Sequence, residues 1–215
     1  MKQKVILVHG YNKDQSDMLT LKNNLEKESY QGILVDLPLR FEELKDATKV
    51  FATKVEKIIN ELEEGEEISF IGHSTGGLVI RYFLSKSELK FKLGRVVLIA
   101  TPNQGSRLAE IASTITPFTS LFKTLDSLQP EQLKELDLSF SKEIEVGAIA
   151  GNKNNLLLGE LLEDENDGRV RVDSVRCERL SDFIVLPYGH KEIHHQRETA
   201  KVAANFLREG KFLKE

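Results

Sequence analysis

Short β-branched runs alternate along this chain with longer stretches of helical period, and that alternation constrains the fold more than any other feature. Val5-Ile6-Leu7-Val8 is apolar throughout and stops at His9-Gly10, as a strand buried on both faces does. Ile33-Leu34-Val35, Ile68-Ser69-Phe70-Ile71 and the runs at 95–100, 145–150 and 183–186 repeat the pattern. Between them, Met18, Leu21 and Leu25 recur at helical spacing ahead of a stop at Gly32. Val50, Phe51, Val55, Ile58, Ile59 and Leu62 mark one face of a helix over 46–63, and Val202, Ala203, Phe206 and Leu207 mark a final one. Strands that alternate with helices require crossover connections. The pattern therefore predicts an α/β fold, a three-layer α/β/α sandwich around a mainly parallel sheet of about six strands.

A chain of 215 residues buries enough surface to need no disulfide or metal staple. No repeat, low-complexity linker or break in composition divides it, so residues 1–215 read as one domain. Thirty basic against 34 acidic residues leave a formal charge of −4, which speaks against a nucleic-acid partner. The lone Cys177 rules out an intramolecular disulfide and any Cys-based zinc cluster. No apolar run approaches a membrane span, and the four apolar residues after Met1-Lys2-Gln3-Lys4 are too few for a signal-peptide core. These features together predict a cytoplasmic protein. The irregular part is 104–143, where Leu108, Ile111, Ile115, Phe118, Leu121, Phe122, Leu125 and Leu128 form an apolar stripe broken by Pro117. It reads either as a sheet-covering helix or as a small cap lining a pocket.

Chemistry concentrates at the turns after the strands. Gly72-His73-Ser74-Thr75-Gly76 matches G-x-S-x-G, with a buried strand ahead of it and a helix behind it. A turn that tight tolerates only small flanking residues, and it presents the serine oxygen at a helix N-terminus, where negative charge is favoured. An idle serine in a Gly-rich turn is the plain alternative. A serine nucleophile needs a base and an acid that orients the base. Asp167, in the Asn166-Asp167-Gly168 turn after the fifth strand, and His190, in Gly189-His190 after the sixth, supply them in the order Ser, Asp, His. Both sites lie beyond strand carboxyl ends, the edge where open α/β sheets bind ligands. Asp173 and Asp182 are rival acids, and His194 and His195, in or near the last helix, are rival bases. His9 and His73 read as structural, one closing the first strand and the other pointing into the sheet. An oxyanion hole would take one backbone N–H from Thr75 and a second from the loop after the first strand, at Tyr11.

With these motifs in place the chain resembles the α/β-hydrolase superfamily, in its small lipase and carboxylesterase branch. His9-Gly10, the elbow at 72–77, Thr101-Pro102-Asn103-Gln104-Gly105-Ser106, Asn166-Asp167-Gly168 and Gly189-His190 carry the resemblance. It implies a minimal version of that fold, with six strands where the full sheet has eight. It implies Ser74 as nucleophile, Asp167 as acid, His190 as base, and an oxyanion hole from Tyr11 and Thr75. The implied activity is hydrolysis of a small-molecule carboxylic ester through an acyl-enzyme, with no metal or organic cofactor. A thioesterase, amidase or acyltransferase would use the same residues, and a non-catalytic binding module would keep the fold alone.

Overall fold

The computed structural model describes residues 3–86, 88, 91–115 and 123–212. Six strands form one parallel sheet in the order β2-β1-β3-β4-β5-β6, where β1 is Gln3–Val8, β2 Tyr30–Val35, β3 Glu67–His73, β4 Lys92–Ile99, β5 Val146–Gly151 and β6 Asp182–Leu186. Register brings their carboxyl ends to a common edge. Val8 pairs with both Val35 and Gly72, His73 with Ile99, and Gly151 with Leu186.

Alternation along each strand divides the core in two, because successive side chains point to opposite faces. Val5 and Leu7 face one side, with Met18, helix α1 (Leu19–Lys27) and helix α8 (Arg197–Glu209). Ile6 and Val8 face the other, with helix α2 (Leu44–Ile59) and helix α3 (Thr75–Lys86). There Phe51 packs edge-on against Phe70 and Phe83, at ring separations of 5.9 and 5.2 Å. This is the expected sandwich, with every described strand pair parallel.

Two boundaries differ from the sequence reading. Gly32 is not a helix stop: α1 ends at Lys27, Ser29 makes the turn at a φ of 71°, and Gly32 lies inside β2. Helix α2 begins two residues earlier than expected and stops at Ile59 instead of 63. The acidic stretch beyond it would place negative charge at the carbonyl end of the helix, which the helix dipole disfavours.

The 104–143 segment contains α4 (Arg107–Ile115), α5 (Lys123–Asp126) and α6 (Pro130–Glu135). Ala109, Leu128, Leu133, Leu136, Leu138 and Phe140 are buried in the α2/α3 side of the core. Thr124 and Ser127 bind the entry to α2, through Glu42 O and Leu44 N. Pro117, Phe118, Leu121 and Phe122 of the expected stripe lie outside the described residues, as do Met1 and Lys2. Short helix α7 (Val172–Val175) precedes β6. No described helix is long and apolar enough to cross a membrane.

Helix α3 approaches β1 with no side chain between them. A Cβ on Gly76 would fall 2.4 Å from His9 O and 2.5 Å from Val8 O, and one on Gly72 would fall 2.5 Å from the Gly77 backbone. Gly76→Ala must therefore shift paired backbone. It is expected to cost about 1–3 kcal/mol in chemical denaturation, as core overpacking does. In α2, Phe51→Ala should cost about 3–5 kcal/mol. Its half-exposed neighbour Val50 should tolerate alanine to within about 0.5 kcal/mol, and equal losses at the two positions would contradict the packing described.

Candidate active site

Because α3 follows β3 so closely, the chain reverses within a single residue. Ser74 takes that place at a φ of 53°, a left-handed conformation rarely adopted by a residue with a side chain. Its N–H donates to Ile99 O at 2.8 Å, and its carbonyl accepts from Gly77 N at 3.0 Å, so the corner is held from both sides. Thr75 is the first residue of α3, and its N–H has no acceptor within the helix. The loop after β1 passes directly beside the corner, since a Cβ on Gly10 would fall 3.0 Å from Ser74 Cβ. Tyr11 follows Gly10, and Asn12 N–H then ties the loop to Leu39 O at 2.7 Å. His9 fixes where that loop leaves the strand: its ring is buried, with Nδ1 2.9 Å from Gly10 O and Nε2 accepting from Leu37 N–H at 3.0 Å.

Two loops at the same edge bring in the acid and the imidazole. Asp167 is fully buried in a turn shaped by Asn166, whose amide nitrogen donates to Asp164 O and whose Oδ1 accepts from Gly168 N. Asp167 Oδ1 accepts from the N–H groups of Arg169 and Val170 at 3.0 and 2.8 Å. Its Oδ2 lies 2.8 Å from His190 Nδ1, and His190 Nε2 lies 3.0 Å from Ser74 Oγ. The backbones join as well, His190 N–H donating to Asp167 O at 2.8 Å. Ser74, His190 and Asp167 thus form one buried hydrogen-bonded line, although 23 and 116 residues separate His190 from its two partners.

The rivals lie elsewhere. Asp182 is at the amino end of β6, where it accepts from Phe183 N and Phe212 N. Asp173, in the short helix α7, pairs with Arg171 at the surface. His194 and His195 occupy a 3-10 turn, Ile193–His195, ahead of α8, and both approach Asp17 rather than Ser74.

His73 has more neighbours than a residue turned into the sheet would need. Its ring stacks on His194 at 3.8 Å and lies 5.0 Å from the His190 ring, and its Nε2–H donates to His190 O at 3.1 Å. Burial, with the neighbouring imidazoles, pushes its pKa well below the ordinary histidine value and keeps it neutral. The sequence carries one signal for this grouping, the His-His pair one turn after Gly189-His190. The Thr101–Ser106 motif likewise proves to be a brace. Asn103 amide nitrogen donates to Val175 O at 2.6 Å and Ser174 Oγ to Gly105 O at 2.7 Å, while the buried Arg81 of α3 donates to Asn103 O and Leu138 O. These contacts join β4, α3 and the segment that carries Asp167.

Known proteins share this arrangement of elements. The mature form of lipase BlEst2 from Bacillus licheniformis superposes with a TM-score of 0.84 at 21% identity, over 96% of this chain and 92% of that one. The metagenomic carboxyl esterase MGS0156 gives 0.74 at 17% identity, over 97% and 76% of the two chains. The lin2722 gene product of Listeria innocua gives 0.68 at 17% identity, over 100% and 96%. These likenesses establish the α/β-hydrolase fold. No functionally curated protein matches the sequence. A family model described as "Putative serine esterase (DUF676)" matches residues 2–129, a stretch that includes Tyr11, Ser74 and Thr75 and ends before Asp167 and His190. The chain belongs to that serine esterase family and is an α/β-hydrolase of the lipase and esterase type.

Proposed function

We propose that the protein hydrolyses small-molecule carboxylic esters through a Ser74–His190–Asp167 triad and a covalent acyl-enzyme. The observation that carries this reading is the unbroken line from Asp167 Oδ2 through both nitrogens of His190 to Ser74 Oγ. In that line the Nδ1–H of a neutral imidazole donates to the carboxylate, which leaves the Nε2 lone pair free to accept the serine proton. Ser74 Oγ then attacks the ester carbonyl as His190 takes its proton, and Asp167 stabilises the resulting imidazolium. The negative charge on the tetrahedral intermediate falls to two backbone donors, Thr75 N–H at the start of α3 and Tyr11 N–H in the loop beside Ser74. His190 returns the proton to the departing alcohol, and water repeats the sequence to release the acid.

In this reading residues 1–215 are one hydrolase domain, and the described parts of 104–143 line the acyl side of the site. The support is its packing on the α2 and α3 side of the sheet and its hydrogen bonds to Glu42 and Leu44 at the entry to α2. The same segment is tied to the stretch that follows the Asp167 turn, Gln104 N–H donating to Ser174 O at 3.1 Å and Ser174 Oγ to Gly105 O at 2.7 Å.

Ser74→Ala should abolish hydrolysis of p-nitrophenyl esters while leaving the melting temperature close to that of the parent. Retained activity would reject Ser74 as nucleophile. Asp167→Asn should keep the hydrogen bonds from Arg169 and Val170 but favour the wrong imidazole tautomer. A fall in kcat of about 10³–10⁴-fold is expected, with KM little changed. A fluorophosphonate probe should label the parent chain at Ser74 and fail on the alanine variant. A folded parent that resists labelling would point instead to a binding module.

A further inference from the structure

A second group of side chains at the same edge has the make-up of a metal site. Asp17 lies in the 3-10 turn Gln15–Met18, and His194 and His195 lie in the turn ahead of α8. His194 Nε2 is 3.1 Å from Asp17 Oδ2, His195 Nε2 is 4.0 Å from Asp17 Oδ1, and one donor atom from each of the three lies within 4.8 Å of the others. Donors that each stand about 2.0–2.2 Å from one tetrahedral zinc ion are separated from one another by roughly 3.4 Å, so only small side-chain adjustments would close the group around an ion. We propose that Asp17, His194 and His195 bind a first-row divalent transition-metal ion, zinc in particular, with its remaining position open to the groove lined by Asn12, Asp14, Leu39 and Phe41.

The setting of His194 favours an ion here. His194 is almost fully buried, with its ring 3.8 Å from that of His73 and 3.9 Å from that of His195, so the nitrogen facing Asp17 is preset.

The competing cation is Lys13, whose Nζ stands 2.9 Å from Asp17 Oδ1. It is half-exposed, so an incoming ion can displace it into water. Two nitrogens and one carboxylate suit zinc and its neighbours and disfavour magnesium and calcium, which prefer all-oxygen shells. The adjoining groove, about 570 Å³ in volume, provides the route in. The inference is independent of the proposed esterase activity, because none of the three residues touches Ser74.

Calorimetric titration of the EDTA-stripped full chain with zinc chloride tests it. One zinc per chain is expected, with no comparable heat from magnesium chloride. Asp17→Asn and His195→Ala should each weaken binding at least tenfold, while His190→Ala should leave it unchanged. Circular dichroism checks the fold of each variant. If Asp17→Asn does not fold, the decision rests on His195→Ala, which alters a partly exposed side chain. The proposal is overturned if the parent binds no zinc, or if folded His195→Ala binds as the parent does. Binding lost in His190→Ala and kept in His195→Ala would place the ion on the Ser74 line and overturn it equally.

Discussion

The close approach of α3 to β1 and β3 is the contact on which the remaining structure depends. Glycines at 72, 76 and 77 remove every side chain from that interface, and added Cβ atoms there would meet backbone or the Thr101 side chain at 2.0–2.5 Å. With so little space the chain must turn within one residue, and Ser74 accepts a left-handed conformation that costs about 1–3 kcal/mol. Its bonds to Ile99 and Gly77, and the burial of most of α3, offset that strain. The result is a serine oxygen lifted above the sheet edge beside a free helix N-terminus, which no unstrained strand-to-helix connection would provide.

Holding charge in a buried place is the second requirement, and hydrogen bonding meets it. The Asp167 carboxylate is shielded from water yet receives two backbone N–H groups and one imidazole N–H, which replace most of its lost hydration. His190 is anchored through its ring, through its own N–H to Asp167 O and through its carbonyl to His73. Such multiple attachment restricts the imidazole to one orientation. Preorganisation of that kind is where an acyl-transfer site gains most of its rate.

The edge is crowded with histidine for a physical reason. All five histidines of the chain sit at or beyond strand ends, where backbone groups left without sheet partners need donors and acceptors of adjustable direction. His9 and His73 serve those groups directly, through Gly10 O and Leu37 N–H in one case and His190 O in the other. His194 and His195 face Asp17 instead, which gives the edge two chemically separate clusters connected by the His73–His194 stack.

The layered α/β architecture, the strand-turn-helix around Ser74, and the turns holding Asp167 and His190 were legible in the amino-acid sequence. Each is written in local pattern: a β-branched run, a glycine pair, an Asn-Asp-Gly turn. Helix limits were less legible, as Gly32 inside β2 shows, because a glycine that ends a helix and one that fits under a neighbouring Lys22 side chain look alike in sequence. That 74, 167 and 190 meet within hydrogen-bonding distance, that His73 supports His190, and that Asp17 joins His194 and His195 were decided only by the tertiary structure. Backbone preference and burial period act over a few residues. Convergence at the sheet edge depends on strand order, register and loop packing between segments more than a hundred residues apart, and a local pattern does not encode those.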